Sequence, residues 1–167
     1  VASLYGRSKL TDIVSKAAKK LFVPLTVGGG VRSLEDIDEL LRAGADKVAI
    51  NTAAVKAPEL ITNAANRFGS QCVVASIEAK SHNIGSWEVF TEAGRERSGK
   101  AVVSWAKEVA DLGAGEILLT SIDKEGTGKG FDDALVASVC SSVRIPVIAS
   151  GGFGELKHLR TAVDAGA

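Results

Sequence analysis

Two stretches of this chain follow one pattern, 122 residues apart and without a gap. Val23-Pro24-Leu25-Thr26-Val27-Gly28-Gly29-Gly30 runs on through Leu34, Ile37 and Leu41 to Ala43-Gly44-Ala45. Ile145-Pro146-Val147-Ile148-Ala149-Ser150-Gly151-Gly152 runs on through Leu156, Leu159 and Val163 to Ala165-Gly166-Ala167. Each copy reads as a buried strand, a glycine turn, an amphipathic helix and an Ala-Gly-Ala stop. One strand plus one helix takes roughly 30 residues, so the offset holds about four such units. Repetition every four βα units is what an eightfold βα barrel built of two halves shows. The expected fold class is therefore α/β, with parallel strands in a partial (βα)8 barrel.

The repeat also predicts which part of a barrel this is. The strand Lys47-Val48-Ala49-Ile50-Asn51 follows the first Ala-Gly-Ala, and no counterpart follows Ala167. At the other end, Val1–Gly6 aligns at the same offset of 122 with the loop Asp123–Gly128, which follows the strand Glu116–Ile122. The register predicts the middle of a barrel, roughly strands three to seven with helices two to seven. It predicts a single incomplete domain over residues 1–167.

Composition excludes several classes. Twenty Lys and Arg balance twenty Asp and Glu, so no basic face argues for nucleic acid and no acidic tail for a partner. No apolar run approaches the roughly 18 residues of a membrane span. Cys72 falls in a strand pattern and Cys140 in a helix pattern, which suggests free thiols and a reducing, cytoplasmic compartment. His82 and His158 have no partner at ligand spacing and read as surface residues. No metal or cofactor is expected.

The apolar periodicity predicts helices at about 7–20, 33–43, 57–67, 99–113, 132–141 and 154–166. Strands fall at about 22–27, 46–51, 71–78, 116–122 and 145–149, rich in Val, Ile and Leu, as in a sheet buried on both faces. Ser33 with Asp36 resembles a capping box. Pro58 suits the first turn of its helix. Trp87-Glu88-Val89-Phe90 alternates, which predicts a small hairpin in the long loop after the third visible strand.

The chemistry-bearing residues gather at strand ends. Gly28-Gly29-Gly30 and Gly151-Gly152 each end a strand ahead of a helix. Glycines let backbone N–H groups approach an anion, and the helix dipole favours it. A pair of such turns half a barrel apart suggests a ligand with a phosphate at each end; tight turns alone are the competing reading. Asn51 and Thr52 follow the next strand and suit the first phosphate, although Asn51 could equally cap a helix. Glu78 ends a strand on the face where this architecture carries active sites, and burial there would suit it to acid–base chemistry. Asp123 is the corresponding acid after Glu116–Ile122; either acid could instead be a solvated loop residue. Thr120 and Ser121 could hydrogen-bond a substrate, and Ser121 could equally face a helix. Lys47 and Glu116 lie at the opposite strand ends, where charges close a barrel floor as an ion pair.

Several segments resemble the cyclase subunit of imidazole glycerol phosphate synthase. They are Thr26-Val27-Gly28-Gly29-Gly30-Val31-Arg32, Lys47-Val48-Ala49-Ile50-Asn51-Thr52-Ala53-Ala54-Val55, Phe68-Gly69-Ser70-Gln71-Cys72 and Gly113-Ala114-Gly115-Glu116-Ile117-Leu118-Leu119-Thr120-Ser121-Ile122-Asp123. The resemblance covers essentially the whole chain. It implies a (βα)8 barrel enzyme of histidine biosynthesis that takes ammonia from a glutaminase partner. Its substrate would be an open, doubly phosphorylated ribulosyl aminoimidazole carboxamide nucleotide. The products would be imidazole glycerol phosphate and an aminoimidazole carboxamide ribotide. Carried over by position, the resemblance puts one phosphate at Gly30, Asn51 and Thr52, and the other at Gly126 and Gly152 with Glu125 nearby. Lys47 and Glu116 match two members of the ammonia gate, and Asp46 matches the glutaminase face.

The departures carry their own expectation. The resemblance implies a catalytic pair of aspartates on the first and fifth strands. The first strand lies outside this chain, and the fifth-strand position is Glu78. An extra methylene moves a carboxyl by about 1 Å, and misplacement on that scale can lower a rate about 100-fold. The 167-residue chain alone is therefore expected to be inactive. Three other readings compete. A sister phosphoribosyl isomerase would favour glycine before Thr52. A cyclase paralogue of surface-sugar amidination is compatible with Gly130-Phe131-Asp132, but Thr26-Val27 ahead of the glycines fits the histidine enzyme better. A non-catalytic, phosphate-binding or self-associating remnant is the third. The cut-out exposes parallel edges at 22–27 and 145–149, and this chain is expected to close itself through them into a homo-oligomer.

Overall fold

The computed structural model describes residues 7–167; the aligned segment Val1–Gly6 lies outside them. The elements in order are α1 (Arg7–Ala18), β1 (Thr26–Gly28), α2 (Leu34–Arg42), β2 (Lys47–Ile50), α3 (Thr52–Lys56), α4 (Glu59–Phe68), a 3-10 turn (Ser70–Cys72), β3 (Val73–Asn83), β4 (Ser86–Thr91), β5 (Glu96–Ala101), α5 (Val102–Asp111), β6 (Glu116–Ser121), α6 (Asp133–Cys140), β7 (Val147–Ser150) and α7 (Leu156–Asp164).

Five of these strands form a parallel sheet in the order β1-β2-β3-β6-β7. Between consecutive parallel strands the chain returns through at least one helix, so the described residues form part of a βα barrel, as the repeat predicts. The repeat is visible in the backbone itself. Helices α2 and α7 are 122 residues apart at both ends. The glycines keep φ above zero in both copies: +108° at Gly29 and +89° at Gly151, +111° at Gly44 and +107° at Gly166.

The sheet has two unlike faces. Val48, Ile50, Ala75, Ile77, Ile117 and Leu119 are buried against the helices with Ile37, Ile61, Trp105 and Leu135. The alternate residues face the concave side. Lys47 on β2 reaches Glu116 on β6 across it, and Glu78, Thr120 and Ser150 form one row over β3, β6 and β7.

The differences from the sequence reading have local causes. Residues 52–68 are not one late-starting helix. Ala57 precedes Pro58 and takes an extended conformation (φ −143°, ψ 80°), so α3 ends at Lys56 and α4 starts afresh. Strand β1 begins later than expected, which leaves Leu21, Phe22 and Val23 exposed ahead of it. Cys72 belongs to the 3-10 turn rather than to a strand. The predicted hairpin is larger. Strand β3 runs on to Asn83, where its second half pairs antiparallel with β4, and β4 pairs with β5. Ser33 does cap its helix, its hydroxyl accepting from the Asp36 amide at 3.3 Å.

Candidate functional site

The concave face places the predicted residues at two ends. At the N-terminal ends of the strands, Lys47 and Glu116 form an ion pair, each with only about a fifth to a quarter of its side chain exposed. Asp46 lies beside them, exposed, its carboxylate accepting the Leu25 N–H at 2.7 Å. Pairing across the face satisfies both half-buried charges, which is the floor arrangement expected from their position.

At the other end, Glu78 is half-buried. Burial pushes its carboxyl above the ordinary glutamate range; hydrogen bonds from the Gly94 backbone and the Asn51 side chain act in the opposite sense. Its Oε2 atom is buried with no hydrogen-bond partner, and so is the Oδ1 atom of Asn51. Asn51 stands at the N-cap position of α3 without capping it. Its Nδ2 donates instead to the Phe90 carbonyl at 3.1 Å. Thr52 accepts the Glu92 N–H on its hydroxyl at 3.0 Å. The structure thus brings Asn51, Thr52 and Glu78 together beneath the β4–β5 turn, and Glu78 is not a solvated loop acid.

The glycine turns lie on the same rim. Gly30 and Gly126 each have φ of +71°, and a Cβ at either would meet nothing within 4 Å. Both are therefore left-handed turn positions with open space beside the backbone. Gly152 is different: it is buried, and a Cβ there would collide with the Gly130 carbonyl. Its own carbonyl accepts the Gly130 N–H at 2.8 Å. Tight packing of the β6 and β7 loops alone demands glycine at that position.

Two candidate substrate contacts have partners within the protein. Ser121 is 1% exposed on the helix side of β6, and its hydroxyl donates to Asp132 at 3.4 Å, so it does not reach the concave face. Strand alternation explains this: Thr120 points one way and Ser121 the other. Asp123 is exposed, and its carboxylate accepts the Ser81 N–H at 2.8 Å, tying the β6 loop to the top of β3.

Two residues gain roles that the sequence reading did not find. His158 is buried, not on the surface. Its Nδ1 accepts the N–H groups of Gly154 and Glu155 at 3.2 and 3.3 Å and so secures the loop after Gly152 to α7. Asp132 caps α6 by accepting the Leu135 N–H at 3.1 Å and also accepts Trp87 Nε1–H at 3.0 Å. An Asp three residues ahead of an apolar run is an N-cap signal; the contact to Trp87 comes only from the hairpin's packing.

This combination of parallel βα units, a charged floor and a glycine-rimmed acid defines a (βα)8-type barrel of the kind that carries an active site at its C-terminal rim. The family described as histidine biosynthesis protein matches residues 1–167, and the chain belongs to it. The curated relatives make the resemblance specific. Imidazole glycerol phosphate synthase subunit HisF of Legionella pneumophila is 63% identical over 158 residues, 95% of this chain and 74% of that protein. The subunits HisF of Gluconacetobacter diazotrophicus and Mycobacterium tuberculosis are each 52% identical, over 99% of this chain. The chain spans 64% of the length of each of those two.

Proposed function

We infer that this chain carries the central part of the cyclase of histidine biosynthesis. The activity joins ammonia to a doubly phosphorylated ribulosyl aminoimidazole carboxamide nucleotide and releases imidazole glycerol phosphate and an aminoimidazole carboxamide ribotide. The observation that carries this reading is the shared rim. Glu78 lies there with Asn51 and Thr52 on one side and Thr120 and Ser150 in its own row on the other. Gly30 with Asn51 and Thr52 forms one phosphate site, and Gly126 with Gly152 the other. Thr120 faces the substrate, and Asp123 holds the loop beside it. Glu78 is the acid–base residue, its raised pKa suiting a carboxyl that gives and takes protons nearer neutrality.

Lys47, Glu116 and Asp46 sit at the far end of the sheet from Glu78, consistent with ammonia entering there from a glutaminase partner. The relatives' name, subunit, agrees with such an assembly. The thiols of Cys72 and Cys140 are both free, which suits the cytoplasm. The 167-residue chain alone is inactive on this reading. Glu78 is the one carboxylate in its row with Thr120 and Ser150, and the resemblance implies a pair of acids.

The decisive measurement is ammonia-dependent turnover of the ribulosyl nucleotide by the purified chain, with Glu78→Ala as control. No turnover is expected. Turnover that Glu78→Ala abolishes would keep the cyclase assignment and overturn the inactivity. Turnover indifferent to Glu78 would remove Glu78 from its role.

A further inference from the structure

We propose that the turn of the β4–β5 hairpin, Thr91–Gly94, is a positioning element that holds the Glu78 carboxyl and the Asn51–Thr52 pair as one unit. The proposal rests on the roles given above to Glu78, Asn51 and Thr52.

Three contacts bind the hairpin to α3 and its N-cap residue. Asn51 Nδ2 donates to the Phe90 carbonyl at 3.1 Å. The Glu92 N–H donates to the Thr52 hydroxyl at 3.0 Å. Lys56, the last residue of α3, pairs with the Glu92 carboxylate at 3.1 Å. A further contact comes from β3, because Phe90 is the register partner of Glu78. The turn therefore closes over the acid from above while gripping the phosphate residues from the side.

Its backbone is unusual. Glu92, Ala93 and Gly94 have φ of 52°, 59° and 75° in succession, and the first two carry a Cβ. Consecutive left-handed residues of that kind persist only where their surroundings hold them. Here the conformation carries the Glu92 N–H to Thr52 and the Gly94 N–H toward Glu78. Since Thr52 accepts from Glu92, its own O–H remains available to donate to an anion. Asn51 is the shared member, touching the hairpin and the acid at once.

The charged groups around Glu78 are engaged elsewhere. Lys80 on β3 lies over the Phe90 ring, Arg97 on β5 pairs with Glu88 on β4, Arg95 donates to the Glu92 carbonyl, and Asp123 takes the Ser81 N–H. Glu78 is thus governed by burial and by its two hydrogen-bond donors, and the turn supplies one of them.

The test follows the Glu78 carboxyl by carbon-13 NMR in the 167-residue chain, assigned with Glu78→Gln. Gly94→Ala places a Cβ at a position with φ of +75° and 3.3 Å from Ile122 Cδ1, which strains the turn that presents the Gly94 N–H. A carboxylate that loses a donor is harder to ionise, so the Glu78 midpoint is expected to rise by about 0.5 pH unit or more. Lys56→Gln, a change at an exposed ion pair, is expected to raise it less. An unchanged midpoint in both folded variants overturns the proposal. If Gly94→Ala does not fold, an unchanged midpoint in Lys56→Gln alone overturns it. Inorganic phosphate is expected to move the amide resonances of Glu92 and Gly94 together with those of Asn51 and Thr52. Movement at Asn51 and Thr52 alone also overturns it. Movement at none of the four removes the phosphate site assigned above, and the Glu78 midpoints then decide the positioning role by themselves.

Discussion

Glu78 sits where burial opposes its charge, and the folded protein carries that opposition as lost stability. A carboxyl whose folded pKa is raised binds its proton more tightly folded than unfolded. Stability associated with it is fully present below the unfolded value, near 4.5, and is lost as pH rises through the higher folded value. Glu78→Gln keeps the acceptor for Gly94 and Asn51 and removes the charge. Chemical denaturation is therefore expected to show the variant more stable than the parent at neutral pH and nearly equal to it below pH 4.5. A variant less stable than the parent at neutral pH would contradict this. Position alone marked Glu78, because the end of a barrel strand is a privileged place. Its pairing with Asn51 was not legible, since 27 positions separate the two and the turn they share lies beyond both, past β4. His158 shows the converse. Ligand spacing says nothing about a histidine that serves as the acceptor for a loop's own amides.

Among the elements, the hairpin is held by Asp132 as well as by α3. The Asp132 carboxylate accepts from Leu135 N–H, Trp87 Nε1–H and the Ser121 hydroxyl, joining α6, β4 and β6. Trp87 is 9% exposed and Ser121 1%, so neither can turn to water if the carboxylate is removed. Loss of an N-cap and of the acceptor for two buried donors predicts that Asp132→Ala destabilises the protein by about 2–4 kcal/mol, measured by urea unfolding. A loss below about 0.5 kcal/mol, the range of an ordinary surface change, would refute that role. Asp132→Asn should lose less, because its carbonyl oxygen still accepts. The parallel strands were readable as runs of branched apolar residues. The three-stranded extension was only half readable. Trp87–Phe90 alternates, but Glu96–Ala101 is Glu-Arg-Ser-Gly-Lys-Ala, which has no strand signature. It is a strand because β4 offers it an edge, a tertiary reason.

At the scale of the whole sheet, the two outer parallel strands among the described residues are β1 and β7. Apolar side chains stand exposed beside both. On the β7 side Leu156, Leu159 and Val163 of α7 are 78%, 47% and 62% exposed, spaced as one helix stripe. On the β1 side Phe22 is 100% exposed and Ile13 of α1 62%. Contiguous apolar surface beside an unpaired strand edge recruits another chain. The purified 167-residue chain is expected to form a homo-oligomer through these edges, with Leu156→Lys and Val163→Lys together shifting it toward monomer in light scattering. A monodisperse monomer of native-like secondary structure would refute the expectation. No described helix is long and apolar enough to cross a membrane.

The sequence by itself determined the barrel class, the register of its two related halves and the strand ends that carry polar chemistry. Periodicity and glycine turns are local signals, and each is written within one βα unit. Tertiary structure decided which polar residues meet. Strand alternation turned Thr120 to the concave face and Ser121 to the helices. The β3 extension brought the β4–β5 turn over Asn51, Thr52 and Glu78. Those meetings depend on pairing between segments far apart in the chain, and no local pattern encodes the partner.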